Sequence, residues 1–185
     1  MRWEKLFGDL EAQFDALEAQ DLQAELPDRV RGEVAGIALA HRLYGAVGAE
    51  ISADLLGGVR VSGALVDVGP DWLLVQEALG GQALVPTASV ATLAGVGRRA
   101  VPPPARSRVG ARLRLTAALR AIARDRSVVR VHLVTGVVLH GVLERVGADF
   151  VDATELPMGE SRRAAPGSGR VVPLAAVAAV RTAPG

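Results

Sequence analysis

The chain has no cysteine, a single lysine, three histidines and only six Phe, Trp and Tyr residues among its 185. The first absence excludes disulfides and thiolate metal sites. With aromatics at 3%, cores have to be built from Val, Leu and Ala, and few rings are on hand to stack on nucleic-acid bases. A net charge of +1 points bulk electrostatics at no particular partner. The longest apolar run, Val171 to Val180, has about half the length needed to cross a bilayer. The N-terminus, Met1 to Lys5, leads into an acidic amphipathic stretch where a signal peptide would place an apolar block. A soluble, cytoplasmic protein without a membrane partner is the expectation.

Half of the residues are apolar, enough for packed cores in one or two domains. Charge is unevenly spread. Residues 1–33 hold nine acids against four bases, whereas residues 98–130 hold ten Arg and one Asp. Arg outnumbers Lys twenty to one in a chain dominated by Ala, Gly and Val, a bias that points to a GC-rich bacterial genome.

Setting Gly63 under Gly141 brings Ile51–Leu93 and Val128–Val180 into step. Gly58 meets Gly136, Leu65 meets Leu143, Val68 meets Val146 and Gly69 meets Gly147. Asp71-Trp72-Leu73 meets Asp149-Phe150-Val151. After a longer loop in the second copy, Leu84-Val85-Pro86 meets Val171-Val172-Pro173, and Val90 and Leu93 meet Val177 and Val180. One small β unit thus occurs twice. As equivalent residues, Trp72 and Phe150 are both expected to anchor a core at the start of a third strand.

Around this repeat the chain reads as four segments. Residues 1–48 form an N-terminal helical segment. Its apolar stripe Trp3, Phe7, Leu10, Phe14 and Leu17 has spacings of 4, 3, 4 and 3. That stripe packs on the chain's own β units or forms a short coiled-coil seam with a second copy. Residues 49–97 hold five short strands with turns at Gly57-Gly58, Gly69-Pro70 and Gly80-Gly81, the pattern of a small barrel. Gly63 falls inside a strand, where it permits strong bending or close backbone approach. Residues 98–110 are an Arg/Pro linker around Pro102-Pro103-Pro104. Residues 111–185 carry a short helix and the second barrel. Thr116 is the expected N-cap, with Leu119 and Ile122 facing inward and Arg120 and Arg124 outward.

A helix followed by five bent strands resembles the Sm-like small β-barrel of LSm proteins and Hfq. The stretch from Leu133 through Gly136 and Gly141 to Leu143 and Val146 looks like that family's first signature. Arg170 to Leu174 and Val177 to Val180 look like its fourth strand, tight turn and fifth strand. The resemblance implies an α+β fold, mainly β, with N-terminal helices and two tandem Sm-like or SH3-like five-stranded barrels. In that family an acid usually follows the residue matching Val146, and LSm proteins add a base-binding Asn. Here Gly147 and Gly69 stand in the acid's place, and the chain has no Asn.

No G-x-S-x-G elbow, P-loop, strand–G-x-G-x-x-G–helix or H-E-x-x-H occurs. His132 and His140 are cross-strand neighbours in one register and on opposite faces in another, and two ligands fall short of a zinc site. No enzyme activity, cofactor, metal or small-molecule substrate is expected. Two functional readings stay open. One is nucleic-acid binding, RNA foremost, by phosphate neutralisation at Arg98, Arg99, Arg106, Arg108, Arg112, Arg114, Arg120 and Arg124. The other is a protein-protein adapter or assembly module, with a protein partner or a homo-oligomer. It would use the acidic N-terminal helix (Trp3, Phe7, Leu10, Phe14, Leu17) and the barrel edges.

Overall fold

The computed structural model describes residues 35–78, 80–102, 113–156 and 169–182. The chain divides into two units, Met1–Ala38 and Leu39–Gly185, and every element named below belongs to the second. Among the described residues the protein is mainly β, with ten antiparallel strands in one sheet and two helices. Helix α1 is Leu39–Gly45. The first strands are β1 Glu50–Leu55, β2 Arg60–Val68, β3 Trp72–Glu77, β4 Gln82–Pro86 and β5 Val90–Ala94. Helix α2, Leu115–Asp125, precedes β6 Val128–Leu133, β7 Val138–Val146, β8 Phe150–Glu155, β9 Gly169–Pro173 and β10 Val177–Thr182.

Alternation produces the strands. In β1, Ile51, Ala53 and Leu55 are buried while Glu50, Ser52 and Asp54 face outward. The repeat seen in the sequence extends to hydrogen-bond register. Ile51 pairs with Gly63 and Val129 with Gly141; Gly63 pairs with Glu77 and Gly141 with Glu155. β2 has a register shift between Leu65 and Asp67, and β7 has one at the equivalent place, between Leu143 and Arg145. Such bulges add bend and twist to a strand. At Gly63 and Gly141 a Cβ would run into the carbonyl oxygens of Gln76 and Thr154 respectively, so the neighbouring strand crosses closely at both.

The strands run β5-β1-β2-β3-β4-β10-β6-β7-β8-β9 across the sheet. Each copy therefore presents its fifth strand first and its fourth strand last. Two apolar clusters lie along it. One gathers Leu43 of α1 with Ile51, Val61, Leu65, Leu73 and Val85. The other gathers Leu115 and Leu119 of α2 with Val129, Val131, Leu143, Val151 and Val177, and it also takes in Trp72 and Leu84 from the first copy.

Helix α2 begins differently from the expectation. Thr116 lies inside it, and the flanking residue Arg114 makes no side-chain cap. The backbone N–H of Leu115 instead donates to the Asp71 carboxylate, 2.8 Å away. A carboxylate from the other copy thus satisfies an orphan donor at the helix start and complements its dipole.

Candidate functional site

The joint between the copies carries several polar contacts between residues far apart in sequence. β4 pairs with β10 through Leu84–Val180 and Ala83–Arg181. Around that short ladder, the Ser89 hydroxyl donates to the Ala178 carbonyl at 2.8 Å, and the Gln82 N–H donates to the Thr182 hydroxyl at 3.0 Å. The Trp72 indole N–H donates to the Leu113 carbonyl at 2.7 Å. Trp72 is thus a core residue, but of the second cluster. Its equivalent corrects the expectation: Phe150 is 37% exposed against 5% for Trp72, and among the described residues no further α2-type helix follows to cover it. Both rings lie over the glycine three residues earlier, where a Cβ at Gly69 or Gly147 would strike the ring. That contact accounts for glycine where the Sm-like pattern places an acid.

The same contrast runs along the two end strands. β5 pairs with β1 and β9 pairs with β8, and neither has a second partner among the described residues. Leu84 in β4 is 5% exposed, whereas its equivalent Val171 in β9 is 69% exposed. Ala178 and Ala179 in β10 are fully buried, whereas their equivalents Ala91 and Thr92 in β5 are exposed.

The sequence-derived site residues are scattered by comparison. Trp3, Phe7, Leu10, Phe14 and Leu17 lie outside the described residues, as do Arg106, Arg108 and Arg112. Arg98 and Arg99 are exposed on the segment after β5, which is tied to α1 by the Val101 N–H donating to the His41 carbonyl. Arg114 is exposed at the start of α2, and Arg120 and Arg124 are exposed along it. Arg120 is partly engaged, donating to the carbonyls of Val146 and Gly147 at 3.4 and 3.3 Å.

A different cationic group forms at the joint. Arg181, with a side chain 17% exposed, donates to Glu77 at 2.9 Å and to the Arg60 carbonyl at 2.7 Å. Arg130 lies directly opposite Arg181 in the β6–β10 ladder. Arg60 pairs with Asp54 at 2.6 Å. That hydrogen bond, reinforced by one from Thr92, holds the Asp54 carboxyl below its ordinary range. His132 pairs with Val138 and His140 with Arg130, so the two imidazoles share a face diagonally. His132 meets Arg181 at 3.5 Å, while His140 faces the Leu156 carbonyl. Burial, then the charges of Arg181 and Arg130, push the His132 pKa down.

Sequence reasoning missed this group, although one signal was present. In the repeat alignment Arg130, His132 and Arg181 replace Ser52, Asp54 and Ala94, so the second copy departs from the first where the joint forms. Among the described residues no three His, Cys, Asp or Glu side chains gather as metal ligands. No helix among the described residues is long and apolar enough to cross a membrane. In comparisons with known proteins, no family model matches the chain and no curated protein matches its sequence.

Proposed function

We propose that the protein is a non-enzymatic assembly module whose copies join head to tail, β9 of one against β5 of the next. The scaffold in this reading is a tandem of Sm-like five-stranded small barrels, and the joint between chains repeats the β4–β10 joint within the chain. The observation that supports it is the exposure of Val171 and Phe150, 69% and 37%, at positions whose equivalents Leu84 and Trp72 are each 5% exposed. Open edges offer unpaired backbone donors and acceptors as a template for another strand. Head-to-tail joints are heterologous, so they close into a ring or run on as a filament according to the rotation per step. Light scattering across a concentration series tests the reading. The expected masses are multiples of the 19.2 kDa chain. Val171→Lys, which places a charge on the edge, should return a monomer with unchanged strand content. A parent protein that stays monomeric at every concentration overturns the proposal.

Nucleic-acid binding is the second reading, favoured by the exposure of Arg98, Arg99, Arg114 and Arg124. Contacts of this kind are to phosphates, so affinity for single-stranded RNA should fall with salt whatever its sequence. Replacing Arg114 and Arg124 with Gln should flatten the log–log salt slope by about 1.4, the loss of two phosphate contacts. An unchanged slope removes this helix from the interface.

A further inference from the structure

Where the two copies join, the sheet faces a cavity of about 500 Å³ lined by residues that include Arg60, Ser62, Glu77, Gly81, Arg130 and Arg181. Its charge is unbalanced. Glu77 answers Arg181 and Asp54 answers Arg60, but Arg130 has no carboxylate partner among the described residues. Arg130 and Arg181 are also direct cross-strand partners. Like charges directly opposite each other in a ladder are destabilising. The Nε–H of Arg181 is buried without an acceptor, although the other side of the same guanidinium is fully engaged. A buried donor left unpaired is costly, and no oxygen among the described residues meets this one. His132 reports the same imbalance, since the charges of Arg181 and Arg130 add to burial in disfavouring its protonation.

We propose that this cavity binds a small phosphate-bearing molecule, its phosphoryl oxygens seated between the guanidinium groups of Arg130 and Arg181. The planar fork of a guanidinium matches two oxygens of a phosphate, and the anion supplies the counter-charge that Arg130 lacks. None of the lining residues is aromatic, so recognition rests on the charged group and not on a stacked base. Ser62 and Thr182 also line the cavity. The site lies wholly within one chain and is independent of how copies assemble.

Pyrophosphate is the probe, titrated into the full chain while the His132 ring protons are followed by NMR. Saturable binding is expected, with the His132 titration midpoint rising because the bound anion offsets the two arginine charges. Arg130→Gln should weaken binding about tenfold or more, the loss of a charge-assisted hydrogen bond. Arg145→Gln, whose side chain pairs with Asp152 and does not line the cavity, should leave binding unchanged. Ser62→Asp builds an anion into the cavity and should abolish binding, which keeps the test decisive if Arg130→Gln does not fold. No saturable binding by the parent overturns the proposal, as does equal binding by parent and Arg130→Gln. Binding that leaves the His132 midpoint in place overturns it too. Light scattering on the same samples reads the assembly state separately, so failure of either proposal is distinguishable from failure of the other.

Discussion

Trp72 and Phe150 occupy the same place in the repeat and meet different fates. Trp72 has its indole N–H on the Leu113 carbonyl and its ring within the second cluster. Truncating it to Ala should cost about 3–5 kcal/mol, the usual range for a buried large aromatic. Phe150→Ala, measured by urea unfolding at low protein concentration, should cost about 1 kcal/mol or less, since the residue is 37% exposed. Equal losses at the two sites would mean that Phe150 is covered. His132 allows a pH prediction of known sign. Its folded pKa is depressed, so the unfolded chain takes up the proton first. Stability is therefore complete above the unfolded value of about 6.5 and declines as pH falls below it. Melting temperature should drop between roughly pH 7 and pH 5, and His132→Asn should flatten that drop. Asp54 is a separate contributor at lower pH. Its depressed pKa gives stability that is present above the ordinary carboxylate range and lost in more acid solution.

At the scale of elements, α2 shows how one copy completes the other. Its first orphan N–H is met by Asp71, from the turn before β3. Asp71→Ala should cost about 1 kcal/mol, in line with losing a helix N-cap. Asp149 is its repeat equivalent and makes no side-chain hydrogen bond among the described residues. Asp149→Ala should therefore stay within about 0.5 kcal/mol of the parent. A matching loss at Asp149 would show a hidden partner. The strands themselves were largely legible. The turns at Gly57-Gly58, Gly69-Pro70 and Gly80-Gly81 marked the hairpins of the first copy, and the repeat carried the pattern to the second. The two bulges were not legible, because an extra residue such as Val66 or Glu144 has no composition of its own. The start of α2 was misread for a related reason. Thr116 is a good local cap, but a carboxylate 44 positions away in sequence took the role.

At the scale of the molecule, the copies share one sheet, and the second cluster contains side chains from both. Unfolding should accordingly be a single transition, with tryptophan fluorescence and far-ultraviolet circular dichroism coincident in urea. Two separated transitions would mean that the β4–β10 joint is too weak to couple the halves. The sequence by itself determined the repeated unit, its strand pattern, the glycines at close crossings and the outward Arg120 and Arg124, because periodicity and backbone sterics are local. Tertiary structure alone decided the order of strands across the sheet, the burial of Trp72 against the exposure of Phe150, and the meeting of Arg130 with Arg181. Those depend on which edge pairs with which. Two copies with nearly the same local pattern become unequal once one of them has a neighbour on its fourth strand and the other, among the described residues, does not.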